Sequence, residues 1–201
     1  MATEVREVAV ASNKPPCATT TTRRAASIEE FWSLPASTLS VEYINGEIVM
    51  APSPSTHHQT VVGNIYFALR THVQKNKTGV CFIAPLDVVL PSGEVVQPDI
   101  FFLTNKELKR SVSDKRICGA PSLVVEILSR GSATLDTLTK RELYESNGVR
   151  EYWIVDPEAR TVAQLLLRKK RYAVTQLQEG DALRSGVLKG FEARVGELLA
   201  A

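Results

Sequence analysis

The sequence predicts an α/β fold with a mixed central sheet flanked by helices. Three observations predict it. Asn45-Gly46 separates two short apolar segments, the strongest local hairpin signal. Residues 56–77 repeat apolar side chains at three- and four-residue steps, as one long helix does. Several short apolar runs follow, too brief for helices and bounded by Gly, Pro or charged residues.

Each element can be justified in turn. Ser27, with Glu30 three residues on, has the form of a capping box and opens a short helix ending by Pro35. Residues 41–44 and 47–50 form the hairpin around Asn45-Gly46, and Pro52 and Pro54 end it. In the long helix Val61, Ile65, Ala68, Leu69 and Val73 share one face, and Gly79 closes it. Residues 80–84 and 87–90 read as strand, as do 95–103 with an interruption at Pro98-Asp99. Residues 105–119 are polar and basic, a short helix with loops. Residues 123–128 form a buried strand. A helix over 136–147 turns Leu138, Leu143 and Tyr144 to the sheet and stops at Gly148. A meander over 151–177 and a terminal helix over 191–199 complete the fold.

The 201 residues suffice for one domain and a tail. With 44% hydrophobic and 23% charged residues, the chain can build its own core without metal or disulfide staples. Residues 1–26, with Pro15-Pro16 and four threonines, are expected to be a disordered tail, leaving 27–201 as the domain. Of 24 basic and 22 acidic residues, four and two lie in that tail, so the body carries 20 of each. A neutral body excludes a nonspecific nucleic-acid coat but not a local phosphate groove. Cys17, Cys81 and Cys118 have no metal-knuckle spacing and suit a reducing cytoplasm, with Cys81 and Cys118 as core filler. No run is long enough to span a membrane, and the N-terminus lacks a signal-peptide core.

The informative feature is a charge in an apolar strand. Glu126 interrupts Leu123-Val124-Val125 and Ile127-Leu128, where a carboxylate is expensive unless compensated. Asp99 precedes a second apolar run, Ile100-Phe101-Phe102-Leu103. If the strands are neighbours, the two acids can share a hard divalent cation such as Mg²⁺. The plainer alternative is that each carboxylate caps a strand end. Lys140 follows on the next helix with Asp136 four residues before it, a spacing that equally suits an exposed ion pair. Lys106, Lys109, Arg110, Lys115 and Arg116, and the turn at 168–171, are basic stretches that can meet a phosphate backbone or simply be solvated.

These residues fall in order on known motifs. Tyr43-Ile44-Asn45-Gly46-Glu47-Ile48-Val49-Met50, His58-Gln59, Ala84-Pro85-Leu86-Asp87-Val88, Gln97-Pro98-Asp99-Ile100, the stretch from Ala120 to Ser129, and Lys140 to Asp156 together resemble the Uma family of endonucleases. That family lies in the Pro-Asp…(Asp/Glu)-x-Lys nuclease superfamily. The likeness runs over residues 28–200. It implies a restriction-endonuclease-like fold and Mg²⁺- or Mn²⁺-dependent cleavage of nucleic acid, DNA first. It also implies Asp99 and Glu126 as metal ligands and Lys140 as the catalytic lysine. Glu47 and His58 fall on its motifs as further site residues, with an exposed hairpin acid and a helix cap as the alternatives; Asp136 is a further candidate.

Two departures stand out. Leu128 occupies the position where the superfamily usually has lysine, so Lys140 would supply that charge from the next helix. Ser129-Arg130-Gly131-Ser132 replaces the usual Ser-Pro-Ser-Thr loop. A competing reading is a catalytically silent module of the same fold that binds nucleic acid or protein. The chain has no phosphate-cradling glycine loop and no Gly-x-Ser-x-Gly elbow, which disfavours nucleotide-binding and acyl-hydrolase readings. A homodimer is compatible with cutting both strands.

Overall fold

Two six-stranded sheets, rather than one, carry the α/β fold. The computed structural model describes residues 21–35, 37, 39–113, 115–129 and 133–200, with only the backbone of 133–137. The first sheet takes strands from the N-terminal half: β1 (Thr22–Ala25), the hairpin β2 (Val41–Ile44) and β3 (Glu47–Met50), β5 (Val88–Val89), β6 (Val95–Val96) and β8 (Ile117–Cys118). Their order is β1-β3-β2-β6-β5-β8. The second contains β4 (Gly79–Ile83), β7 (Ile100–Thr104), β9 (Leu123–Ile127), β10 (Glu151–Asp156), β11 (Thr161–Arg168) and β12 (Arg171–Gln178), ordered β12-β11-β10-β9-β7-β4. Both sheets are mixed, since β5 runs parallel to β8 and β9 parallel to β10.

Proline chemistry explains the split. The expected long strand over 95–103 breaks at Pro98, which donates no ladder hydrogen bond. Val95–Val96 pairs within the first sheet, and Ile100–Thr104 pairs within the second. The chain therefore changes sheets across Gln97-Pro98-Asp99. Asn45 and Gly46 both have positive φ (53° and 77°), as a type I′ turn requires. Strand β1 pairs with β3 along its whole length. Thr22–Ala25 is thus an edge strand inside the segment expected to be tail; residues 1–20 lie outside the described residues.

Five helices flank the sheets among the described residues. In α1 (Ile28–Ser33), Ser27 accepts the Glu30 N–H, as the capping pattern predicts. The long helix α2 (Thr56–Asn76) is capped by Ser55. Gly79 does not end it; Lys77 does, in the left-handed conformation, and Gly79 opens β4 instead. Helix α3 (Asn105–Ser111) has a full capping box between Thr104 and Glu107. Helix α4 (Ala133–Asn147) is the crossover joining parallel β9 and β10. Its Leu143 and Tyr144 are buried as expected, but Leu138 is 54% exposed. The terminal helix α5 shrinks to Val195–Leu198, because Glu192–Arg194 (β14) pairs with β13 (Ala182–Arg184). Cys81 is core filler, whereas Cys118 is exposed.

The core has three parts. Strand alternation sends Ile100, Phe102, Val125 and Ile127 toward α2 and α5. Phe101, Leu103 and Val124 face the other way, against Ile44, Val49, Val88 and Val96 of the first sheet and Tyr144 of α4. Phe31 of α1 covers the outer face of the first sheet with Ile48 and Val95. Each such fully buried side chain contributes roughly 1.5–3 kcal/mol.

Two glycines test this packing with opposite signs. A Cβ on Gly79 would lie 1.9 Å from the Leu103 carbonyl oxygen, a backbone atom with no freedom to retreat. Gly79→Ala should therefore destabilise the protein by about 1–3 kcal/mol or more in chemical denaturation. Gly63, in mid-α2, has open space where its Cβ would be. Gly63→Ala should stabilise by about 0.5–1 kcal/mol.

Candidate active site

Asp99 and Glu126 meet between the two sheets. Strands β7 and β9 are antiparallel, with Ile100 opposite Val125. One step back along β7 brings Asp99 opposite Glu126, and directly opposed residues share a face with Cβ atoms about 4.5–5.5 Å apart. Glu126 is the one residue of β9 that is not fully buried. The two acids thus mark a small opening in an otherwise apolar strand pair.

Among the described residues, the contacts of each carboxylate fall on one oxygen. Asp99 Oδ2 accepts the Ile127 backbone N–H at 2.8 Å and lies 3.3 Å from His58 Nε2. Glu126 Oε1 accepts Lys140 Nζ at 3.0 Å and the Tyr144 hydroxyl at 2.7 Å. Asp99 Oδ1 and Glu126 Oε2 take part in none of these bonds. The expectation that an acid here caps a neighbouring strand is thus realised by Asp99, but with only half of its carboxylate.

Lys140 comes from α4 and reaches the cluster. Its ammonium bridges Glu126 Oε1 and Glu42 Oε1, both at 3.0 Å. It is buried, so the surface-pair alternative does not describe it. The backbone of Asp136 lies in α4, but its side chain is outside the described residues. His58, in the first turn of α2, joins through Asp99 as its motif implies, and its backbone N–H is capped by Ser55. Glu47 does not join: its carboxylate is 42% exposed, 3.6 Å from Arg23, and shares none of the cluster's hydrogen bonds.

Glu42 is the acid that sequence reasoning missed. It sits on β2, inside the Val41–Ile44 segment, and alternation turns it with Ile44 toward the second sheet. Besides Lys140 it accepts the Gln97 N–H at 2.8 Å. Gln97 in turn donates its Nε2 to Asp87 Oδ1 at 2.7 Å. The signal was faint: Glu42 interrupts an apolar segment as Glu126 does, but one of only four residues. Tyr144, singled out only as a core residue, also belongs to the cluster through its hydroxyl.

Burial and charge work against each other here. Burial pushes Glu126 up to about 7; Lys140 opposes this, and the charges of Asp99 and Glu42 add to it. Burial alone would discharge Lys140, but Glu126 and Glu42 outweigh it and hold the ammonium well above its ordinary range. Burial likewise lowers His58, yet the bond to Asp99 and its charge raise it overall. Tyr144 is raised by burial and by both glutamates, so it stays a donor.

Glu151 provides the contrast. It is fully buried, yet Trp153 and Gln164 donate to Oε1 and Ser185 and Val187 to Oε2, all at 2.6–2.9 Å. Both its oxygens are satisfied, as a structural carboxylate requires. Among the described residues, the Asp99–Glu126 pair instead makes its bonds through one oxygen of each acid. Two of the three unpartnered buried side-chain atoms among the described residues, His58 Nδ1 and Gln97 Oε1, also lie here.

This donor set fits a hard cation that keeps much of its water. No group of three or more His, Cys, Asp or Glu among the described residues is arranged to hold a metal. A four-ligand zinc centre therefore does not match the described side chains. Mg²⁺ needs only one or two carboxylates besides water and phosphate oxygens, and Asp99 and Glu126 can supply them.

The raised Glu126 gives a stability prediction for metal-free protein. The folded state holds a proton that the unfolded chain releases from an ordinary value near 4.5. The resulting stabilisation is present at the acid end of that window and is lost as pH rises through about 7. Melting temperature in chelator should fall across this window, and Glu126→Gln should flatten the fall. An unchanged slope would exclude Glu126 as the source.

Comparison with known proteins agrees with this architecture. No curated protein matches the chain. The crystal structure of a protein from Anabaena variabilis ATCC 29413, described as a "putative nuclease belonging to DUF820", shares its fold with a TM-score of 0.73. The two are 20% identical, and the alignment covers 85% of this chain and 96% of that one. A family profile matches residues 28–196, a span that contains β2, α2, both carboxylate strands and Lys140. The chain therefore belongs to the Uma2 family, described as "Putative restriction endonuclease".

Proposed function

We propose that this chain is a Mg²⁺-dependent endonuclease that hydrolyses phosphodiester bonds in DNA. In this reading Asp99 and Glu126 hold the metal and Lys140 faces the scissile phosphate. The observation that carries it is the opposed acid pair with the Lys140 ammonium 3.0 Å from Glu126. Family membership supports nuclease activity in general. The free thiols of Cys81 and Cys118 support a reducing, cytoplasmic setting. Among the described residues no helix is long and apolar enough to cross a membrane. Cutting both strands of a duplex would take two copies of the chain, related by a two-fold axis.

Bound Mg²⁺ supplies Lewis acidity toward the phosphoryl oxygen and lowers the pKa of its water. The side chains do the remaining work. Lys140 keeps its proton because two carboxylates outweigh its burial, so a fixed positive charge stands where phosphorane charge develops. Tyr144 and Lys140 together fix Glu126 Oε1, which orients that carboxylate. His58 and the Ile127 N–H do the same for Asp99. The N-terminus of α2, at His58, adds a positive helix-dipole end that favours a phosphate group.

Incubating the protein with plasmid, single-stranded DNA and RNA, in Mg²⁺, Mn²⁺ or chelator, tests the reading. Cleavage of DNA with metal and none in chelator is expected. A negative result on every substrate would instead favour the silent binding module. Asp99→Asn and Glu126→Gln should each reduce cleavage to background while thermal melts show a folded protein. Wild-type rates in Asp99→Asn would end its role as a metal ligand.

Lys140→Gln keeps a donor for both glutamates but removes the charge. It should lower the cleavage rate by a factor on the order of 10² or more. Metal binding should persist. Full activity in this variant would rule out Lys140 as the catalytic cation.

A further inference from the structure

Strand β12 ends the second sheet, and among the described residues it pairs on one side only, with β11. Alternate N–H groups of such an edge strand point away from the ladder. On β12 these belong to Tyr172, Val174, Gln176 and Gln178. The outer two are taken: Glu145 Oε1 accepts the Tyr172 N–H at 2.6 Å, and Asp181 Oδ2 accepts the Gln178 N–H at 2.7 Å. Those of Val174 and Gln176 face outward between them. The open stretch, Ala173-Val174-Thr175-Gln176-Leu177, has none of the charges, prolines or bulges that normally blunt an edge. Val174 is 49% exposed.

We propose that this edge pairs antiparallel with the same edge of a second copy, about a two-fold axis at Thr175. The proposal stands apart from the nuclease reading, which takes two copies but names no contact between them. Symmetry and the free groups together choose the register. A two-fold axis perpendicular to the sheet keeps every residue on its own face, and opposed residues share a face, so the axis falls on a residue. At Thr175 it sets Val174 opposite the partner's Gln176, and the two exchange both of their backbone bonds. An axis at Val174 or Gln176 would instead set a free group against Tyr172 or Gln178, whose N–H is already held. Ala173 then meets the partner's Leu177, adding apolar contact on the other face. Such a pair closes on itself, as a head-to-tail addition of strands does not.

Charge selects the same direction. The turn before β12 carries four cations, from Arg168 to Arg171, and the turn after it carries Glu179 and Asp181. Antiparallel pairing brings Arg171 opposite the partner's Glu179. Parallel pairing would set the two cationic turns side by side. Glu179 already holds Arg160, so the gain is chiefly the repulsion avoided.

Sedimentation equilibrium of the full-length chain tests this, and wild type should show a monomer–dimer equilibrium. Thr175→Lys opposes two ammonium groups on the axis and should weaken the dimer about fivefold or more. Val174→Pro removes an outward N–H and leaves the β11 ladder whole. Its two lost hydrogen bonds per dimer should weaken association by about 5- to 100-fold. Circular dichroism should show both variants folded. Thr175→Cys tests the register, because residues facing on the axis form a non-hydrogen-bonded pair with Cα atoms about 4.5 Å apart, within disulfide reach. Mild oxidation should cross-link this variant, but neither Gln176→Cys nor wild type with its exposed Cys118.

A wild-type chain that stays monomeric at every concentration, or a dimer that Thr175→Lys leaves unchanged, would overturn the edge pairing. Equal cross-linking of Gln176→Cys would overturn the register. Plasmid cleavage measured alongside separates the two proposals: cleavage by a monomer removes the interface alone, and a dimer that cuts nothing removes the nuclease reading alone.

Discussion

The Lys140 ammonium joins three parts of the chain that no covalent neighbour connects. Glu42 comes from the first sheet, Glu126 from the second, and Lys140 from the helix that crosses over after β9. Two buried carboxylates this close repel each other, and their repulsion would work to part the sheets. The shared cation converts it into attraction at a point where the apolar core is interrupted. Removing one member of such a group leaves the others charged and uncompensated, which typically costs about 3–5 kcal/mol. In the proposed reading, the same arrangement that endangers the fold would make the site reactive. Stability here is given up in favour of a carboxylate pair with an open side.

The difference between Glu151 and Glu126 shows how a fold assigns roles to identical side chains. Both arise in apolar strands of the same sheet, and those strands are neighbours. Glu151 receives four neutral donors and becomes part of the frame. Glu126 receives two among the described residues, both on a single oxygen. Residue type cannot separate the two cases; the number and direction of donors does.

This explains what was legible in the sequence. Local signals were reliable where one residue decides the geometry: Asn45-Gly46 for the hairpin, Ser27 for the cap, Gly148 for the end of α4. Glu126 and Asp99 were visible because charge in an apolar run is rare. Lys140 was reachable only through family resemblance, since its spacing to Asp136 reads equally well as a surface pair. Glu42 escaped because the four-residue strand around it is too short for one charge to look misplaced. The second sheet escaped because strand pairing is nonlocal: nothing in Val95-Val96 says that it pairs with a different sheet from Ile100. The short α5 shows the same limit, with apolar periodicity overridden by the pairing of Glu192–Arg194.

The crossing at Gln97-Pro98-Asp99 has a mechanical consequence. These three residues are the hinge pin between the sheets, and both ends of the pin carry site contacts: Gln97 to Glu42, Asp99 to the Ile127 N–H. Any sliding of one sheet over the other is therefore registered first at the acids, as a change in their spacing. The second sheet, tied by long antiparallel ladders at β10–β11–β12, should resist heat better than the first, which contains two-residue strands. On warming, the first sheet should therefore loosen first and carry Glu42 away from Lys140 while most of the backbone is still folded. The protein should thus lose its working geometry well below the temperature at which it unfolds, with the site serving as the fuse of the fold.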